Sequence, residues 1–246
     1  MRGFLYNIPR PTHSYFTAAA LACAVCIASP ARAQSSGLAP NPPAAIALPA
    51  TLPIFPLPDV MLFPGMSVPL HIFEPRYRAM VADALKGDRI IGMVLLRPGY
   101  EPDYERSPSV FPIGCAGVIT DVTPLPDGEY NIVLRAVSKF RVTREEASKP
   151  YRIAHVTAIP DVLADGDKAA LRTLRQRVEA LVAQAGGRVA LPSIPQGISD
   201  EELVDGLAQF ADIDPLDRQQ LLERDGVLSR AAALIDLLQR LTSAPR

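Results

Sequence analysis

The feature that most constrains this fold is an apolar stretch, interrupted by prolines, that runs from Leu52 to Leu85 and reads LPIFPLPDVMLFPGMSVPLHIFEPRYRAMVADAL. Proline has no backbone N–H, so it cannot donate a hydrogen bond to a neighbouring strand. Pro53, Pro56 and Pro58 all fall at the beginning of the stretch. This beginning therefore predicts an edge strand or the irregular rim of a barrel, and not a regular central strand.

The second half of the stretch predicts a strand followed by a helix. Apolar side chains alternate through Val68–Phe73 with the period of a strand. Glu74 and Pro75 form a helix start, because the fixed φ of proline suits the first helical position. Apolar residues at helical spacing follow as far as Leu85, and Gly87 is suited to end the helix.

Two segments of this stretch, LPIFPLPDVMLFPG and PLHIFEPRYRAMV, closely resemble the start of the substrate-binding N-terminal domain of Lon proteases. The match is long and in register, and it continues more weakly to the C-terminus. The resemblance implies an α+β fold, in which a PUA-like β pseudo-barrel is followed by a C-terminal helical bundle. It also implies recognition of substrate polypeptides. Within EPRYR we expect Arg76 to pair with a carboxylate that holds the helix on the barrel and Tyr77 to pack beneath the helix; the alternative is that they contact substrate.

The remainder of the chain divides into a β-rich part and a helical part. Strand patterns follow at 89–96, 110–125, 129–137, 139–143 and 151–159, with a hairpin turn at 126–128. The composition changes near Asp161, after which apolar residues recur at helical spacing. Ser199 and Glu202 form a capping box before a helix whose apolar stripe includes Phe210. We therefore expect a β-rich subdomain over 51–161 and a helical subdomain over 162–246.

The first 33 residues have the features of a secretory signal peptide. Arg2 and Arg10 precede an apolar run from Tyr15 to Ala28, and Ala31-Arg32-Ala33 is a cleavage signal. We expect cleavage after Ala33 and a periplasmic or secreted protein. The alternative is an uncleaved anchor, although the apolar run is shorter than the roughly 20 residues of a membrane span.

Residues 34–50 are rich in Ser, Pro, Ala and Asn without periodicity, which is typical of a disordered linker. Removal of residues 1–33 takes three arginines and no acidic residue, so 22 basic and 26 acidic residues remain, a formal charge of −4. This acidic balance argues against a nucleic-acid partner, including the RNA that PUA-like folds often bind. We expect no stable membrane anchor after cleavage.

Motifs for catalysis are missing from the sequence. No Gly-Lys dipeptide occurs, so the phosphate-binding loop of the Lon ATPase is absent from this chain. Ser138 and Lys139 are adjacent in a strand and point to opposite faces, which excludes them as a Ser-Lys dyad. His71, His155 and Cys115 are scattered, without zinc-ligand spacing.

The resemblance to the Lon domain implies polypeptide binding, and together with these absences it predicts a non-catalytic, stand-alone polypeptide-binding module with no cofactor and no metal, and not an enzyme. The alternative is a hydrolase with an unrecognised active site. Cys115 lies in an apolar strand pattern, so we expect a buried thiol; the alternative is an exposed thiol that forms an intermolecular bond.

The proline-rich loops are the expected source of a binding surface. At a barrel rim Met61, Phe63 and Met66 would remain partly exposed and would contact an unfolded or partly folded polypeptide, for which flexible methionines are suited. The alternative is that all three belong to the core. The loop from Pro98 to Pro108, with its tyrosines and charges, is a second possible binding element, although such loops are more often solvated connections.

Overall fold

The computed structural model describes residues 47–104, 106–146, 148–185 and 197–243. These residues belong to one unit, Ala44–Arg246. The predicted signal peptide and most of the predicted linker lie outside the described residues. The sequence also predicts that Gly186 and Gly187 end a helix and that a proline-bearing loop follows, and these residues lie outside the described ranges as well.

The described residues form six strands and five α-helices in the order expected from the sequence, strands first and most helices last. The strands are β1 (Thr51–Leu57), β2 (Ser67–Ile72), β3 (Ile90–Leu95), β4 (Ile113–Pro124), β5 (Tyr130–Glu146) and β6 (Arg152–Ile159). The helices are α1 (Pro75–Ala84), α2 (Lys168–Ala185), α3 (Asp200–Phe210), α4 (Pro215–Leu222) and α5 (Gly226–Ser243).

Strand β1 lies between β3 and β6 in the sheet, so it is not an edge strand over its whole length. It pairs with β6 over Thr51–Ile54 and with β3 over Ile54–Leu57, and the two pairings overlap only at Ile54. Pro53 therefore lies where β6 is the only neighbour, and Pro56 lies where β3 is the only neighbour. Each proline ring can face the unpaired side, so no ladder hydrogen bond is lost.

The sheet has the order β2-β5-β4-β3-β1-β6, with an additional pairing between β5 and β6. This pairing closes five of the strands into a ring, while β2 attaches to the first half of β5. All the pairings are antiparallel except that of β1 with β3. The arrangement confirms the expected α+β fold, a pseudo-barrel followed by helices.

A single strand, β5, replaces the two strands predicted over 129–137 and 139–143. Its first half pairs with β2 and its second half with β6, while β4 runs along most of its length. Register shifts between Ala116 and Gly117 and between Ile119 and Asp121 allow β4 to follow this long partner. The turn before β5 contains Gly128 at a φ of 77°, a conformation that glycine adopts without strain.

Two hydrophobic cores lie on the two sides of this ring. The smaller core contains residues from all five ring strands, which places it inside the ring: Leu52, Ile54, Ile90, Val94, Ala116, Phe140 and Ala154. The larger core combines strand and helix side chains, among them Met93 of β3, Leu203 of α3 and Leu234 of α5. The sheet and the helices therefore share the larger core.

A buried network of charges also joins the sheet to the helices. Arg230 of α5 is 0% exposed and donates to the carboxylates of Asp205 on α3 and Asp161 after β6. The Nζ of Lys139 on β5 lies 3.7 Å from the Asp161 carboxylate. It donates to the backbone oxygens of Leu222, the last residue of α4, and of Arg224 just after the helix. Burial raises the pKa of Asp205 and lowers that of Lys139.

The helix cap predicted from the sequence is present, but one residue predicted to be buried is exposed. Ser199 accepts from the backbone of Glu202 and the Glu202 side chain accepts in return, which confirms the capping box. Leu203 and Leu207 are buried as expected. Phe210, predicted in the same buried stripe, is 50% exposed because it lies at the last residue of α3.

Candidate functional site

A small pocket lies where the loop between β3 and β4 folds over the beginning of α1. Its cavity volume is about 60 Å³. We call it the arginine–tyrosine pocket, because three arginines and three tyrosines dominate its walls. It is lined by Pro56, Arg76, Tyr77, Leu96, Tyr104, Arg106, Pro108, Pro150, Tyr151 and Arg152.

The first wall of the pocket is built from the EPRYR segment and the loop. Pro75 begins α1 at its first turn, which directs Arg76 back towards Glu74. The Arg76 Nε donates to Glu74 Oε2 at 2.9 Å, and Nη1 donates to the backbone oxygen of Tyr104 at 3.1 Å. The Tyr104 hydroxyl donates to Glu74 Oε1 at 2.8 Å. Arg76 thus pairs with a carboxylate as expected, and the pair fastens the loop onto α1.

Two tyrosine rings enclose the Arg76 guanidinium. It lies 4.6 Å from the ring centre of Tyr77 and 4.8 Å from that of Tyr104, within the range of a cation–π contact. Tyr77 is buried against Phe55 at 4.4 Å between ring centres, as the sequence indicated. Burial raises the pKa of Tyr77, and burial with the hydrogen bond to Glu74 raises that of Tyr104 to about 12. Both phenols therefore stay protonated at neutral pH.

The second wall comes from β6 and the turn before it. Arg152 binds Glu145 through two hydrogen bonds of 2.6 and 2.7 Å and donates to the backbone oxygen of Pro108 at 2.8 Å. The Tyr151 hydroxyl donates to Asp83 at 2.9 Å. Bidentate pairs of this type hold an arginine in one orientation. These contacts therefore orient Tyr151 and Arg152 within this wall.

Arg106 differs from the other two arginines of the pocket. Its side chain is 84% exposed, and the carboxylate of Asp103 lies 3.7 Å from its Nη1. Arg76 and Arg152 each hold a carboxylate at 2.9 Å or less. The pocket thus combines buried Tyr77 and Tyr151 with a half-buried Tyr104 and the exposed guanidinium of Arg106. Tyrosine and arginine are residue types enriched in protein interfaces.

The three binding residues predicted from the sequence do not share an exposed surface. Met61 and Phe63 are 5% and 0% exposed and belong to the larger core, so their predicted exposure was wrong. The Phe63 backbone N–H donates to Gln209 of α3 at 2.9 Å, because α3 covers the loop that was expected to be a free rim. Met66 is half-buried and keeps an accessible face.

The other reactive residue types lie apart from the pocket. His71 pairs with Glu129 at 3.0 Å, His155 contacts Glu146, and Cys115 is 0% exposed. Within the described residues no group of His, Cys, Asp or Glu could hold a metal ion. In the same part of the chain, every helix is too short or too polar to span a membrane.

The sequence pointed to part of the pocket only. The loop from Pro98 to Pro108 and the EPRYR segment were both singled out, but nothing in the sequence placed them in contact. Tyr151 and Arg152 were missed, because they come far along the chain and carry no motif. A conformational signal did exist, since Pro150 and the preceding polar residues mark a turn before β6.

A family model for the substrate-binding domain of ATP-dependent protease La (LON) matches residues 51–240 of this chain. The chain belongs to the Lon substrate-binding domain family. The match includes every residue that lines the arginine–tyrosine pocket.

Curated relatives of this family member are full Lon proteases. The Lon protease of Cytophaga hutchinsonii is 27% identical over 202 residues, which cover 78% of this chain and 24% of the relative. Lon protease 2 of Thermus thermophilus is 28% identical, with the same coverage of 78% and 24%. The chain therefore spans about a quarter of the length of these relatives.

Solved structures of Lon N-terminal domains have the same fold. The N-terminal domain of a Mycobacterium avium complex Lon protease superimposes with a TM-score of 0.56 at 18% identity, over 77% of this chain and 98% of that one. A Lon N-terminal domain protein from Xanthomonas campestris gives a TM-score of 0.51 at 25% identity, over 79% and 99% of the two chains.

Proposed function

We propose that this member of the Lon substrate-binding domain family binds unfolded or partly folded polypeptides, and that the arginine–tyrosine pocket contacts the bound chain. The observation that carries the proposal is the pocket itself, a preformed set of tyrosine, proline and arginine side chains within the matched residues. Tyrosine and arginine are enriched among the few residues that dominate binding energy in protein interfaces.

The geometry supports binding at low entropic cost. The loop that carries Tyr104 is fastened to α1 by Glu74 and Arg76, and Arg152 holds the opposite wall through Glu145 and Pro108. A surface that is ordered before the ligand arrives loses little freedom on binding. Arg106 remains available at the mouth for a backbone carbonyl or carboxylate of the client.

Binding of reduced casein, an unfolded model polypeptide, tests the proposal. We expect the purified chain to bind labelled casein with a dissociation constant in the micromolar range. This range corresponds to a binding free energy of roughly −8 kcal/mol. Arg106→Ala and Tyr104→Ala should each weaken binding several-fold. Arg172→Ala is the matched control, because Arg172 is 72% exposed on α2 and its removal changes the net charge equally.

Melting temperatures separate a lost contact from a lost fold. Arg106 is so exposed that its truncation should leave the melting temperature unchanged. If the wild type binds no casein, the proposed function is wrong. If Arg106→Ala and Tyr104→Ala both bind as the wild type does, the pocket is not the contact surface.

The same proposal includes binding without catalysis by this chain. Ser138 Oγ donates to the backbone oxygen of Lys139, and Lys139 Nζ is occupied by the oxygens of Leu222 and Arg224. These contacts support the expectation that the two residues do not form a Ser-Lys dyad. A hydrolase screen should find no turnover, and calorimetric titration should detect no binding of ATP with Mg²⁺ at physiological concentrations.

Export of the protein is part of the proposal, and it rests on the sequence of residues 1–33. The intact mass of the protein recovered from periplasm or medium should equal that of a chain that begins at Gln34. A mass that retains residues 1–33 would favour the anchored form instead. A pull-down with the recovered protein would then identify its polypeptide partners in that compartment.

A further inference from the structure

Two of the four large apolar side chains exposed in the described residues lie at the turn between α3 and α4. Phe210 is 50% exposed and Leu216 is 40% exposed, whereas the core residues Leu207 and Leu221 on the same helices are each 2% exposed. The other two exposed side chains, Phe73 and Val162, lie elsewhere in the sequence. The turn therefore presents apolar surface that the core does not use.

The half-buried Met66 extends this surface. Its Sδ lies 3.6 Å from the position that a Cβ on Gly206 would occupy, so Met66 packs against the bare backbone of α3. Gly206 and Phe210 are four residues apart and lie on the same face of the helix. Gln209 fixes this contact by accepting from the Phe63 N–H at 2.9 Å and donating to the Ser67 oxygen at 3.0 Å. We call Met66, Phe210 and Leu216 the α3–α4 patch.

Carboxylates border the α3–α4 patch. Asp59, Asp212 and Asp214 are exposed. Burial lowers the pKa of Arg218, and the negative charges of these three aspartates act in the opposite direction and raise it. Arg218 lies among them, because it donates to the backbone oxygens of Asp59 at 3.0 Å and Ala211 at 2.8 Å. Three carboxylates against one guanidinium give this border a net charge of −2.

We propose that the α3–α4 patch binds basic amphipathic segments of a client polypeptide, in which apolar residues alternate with Lys or Arg. The apolar side chains of the segment would cover Phe210, Leu216 and Met66, and its cations would face the three aspartates. Complementary charge selects the partner and speeds association. This inference rests on the proposed function and names the chemical class of the client.

Two labelled peptides with the same apolar residues test the selection. One peptide carries Lys at its charged positions and the other carries Glu at the same positions. Fluorescence anisotropy at low salt should show binding of the Lys peptide that is at least about tenfold tighter. The difference should shrink as salt is added, because salt screens charges at the surface.

Exposed residues allow variants that preserve the fold. Phe210→Gln should weaken binding of the Lys peptide several-fold, and Val162→Gln is its control, because Val162 is 82% exposed and lies in the segment between β6 and α2. The double variant Asp59→Asn with Asp212→Asn should reduce the preference for Lys over Glu. Asp121→Asn with Asp127→Asn removes the same charge from the exposed β4–β5 hairpin and should not.

Failure of this inference can be told apart from failure of the proposed function. Equal binding of the Lys and Glu peptides, or unchanged binding by Phe210→Gln, would overturn the α3–α4 patch even if casein still binds. Absence of binding to casein and to both peptides would overturn the proposed function and this inference together.

Discussion

Phe63 and Met66 are three residues apart and differ in burial, so truncation should affect them differently. Phe63 is 0% exposed, and Phe63→Ala should cost about 3–5 kcal/mol of unfolding free energy by leaving a cavity. Met66 is half-buried, and Met66→Ala should cost less than about 2 kcal/mol. Urea unfolding of the single variants measures both values. Similar costs for the two variants would contradict the burial difference.

Cys115 illustrates how burial controls a thiol. The side chain is 0% exposed in β4, and burial raises its pKa, so both access and ionisation oppose reaction. We expect a thiol-reactive dye to label the native protein far more slowly than the protein in denaturant. Because this is the one cysteine outside residues 1–33, the labelling reports a single site. Rapid labelling of the native protein would favour the exposed thiol.

At the scale of elements, the buried charge network makes the helices dependent on the sheet. Arg230→Met removes a cation that binds both Asp205 and Asp161 and leaves two buried carboxylates with less compensation. We expect a cost of about 3–5 kcal/mol in unfolding free energy. Arg240→Met on the same helix is the control, because Arg240 is 64% exposed and lies 3.9 Å from Asp217. That change should cost less than about 1 kcal/mol.

A small effect of Arg230→Met in urea unfolding would mean that the surrounding apolar core, and not the charge network, holds α5 in place. The larger core supports that outcome physically, because Leu234 and Leu238 of α5 are buried in it. The comparison of the two arginine variants therefore separates ionic from apolar contributions at one helix.

For the molecule as a whole, acid should weaken the link between α1 and the turn before β6. Hydrogen bonds from Tyr151, Lys149 and Lys86 lower the pKa of Asp83 to about 2 from an ordinary value of 3.8. The folded-state pKa is depressed, so the stabilisation is present above about pH 4 and is lost as the pH falls through about 2. Asp83→Asn should therefore lower stability at pH 6 and have little effect near pH 2.

Urea midpoints of the wild type and Asp83→Asn between pH 2 and pH 6 measure this dependence. Asp88→Asn removes the same charge from an exposed position shortly after α1 and serves as the control. A difference between wild type and Asp83→Asn that stays constant across the range would show that the carboxylate of Asp83 is not the titrating group.

The sequence by itself determined the features that depend on neighbouring residues. Pro75 at the start of α1, the capping box at Ser199 and the turn at Gly128 each involve residues within four positions of one another. The long stretch interrupted by prolines also indicated the family, and the family resemblance implied the pseudo-barrel and the helices. Local propensity and a recognisable pattern were sufficient for these features.

Only the tertiary structure decided which surfaces are free, because that depends on contacts between distant residues. Glu74 meets Tyr104 across 30 residues to form the pocket, and Phe63 meets Gln209 across 146 residues. The second contact buries the predicted binding loop, while the end of α3 leaves Phe210 exposed. Alternation and helical spacing identify the apolar residues of an element, but the packing of the elements selects which of them water still reaches.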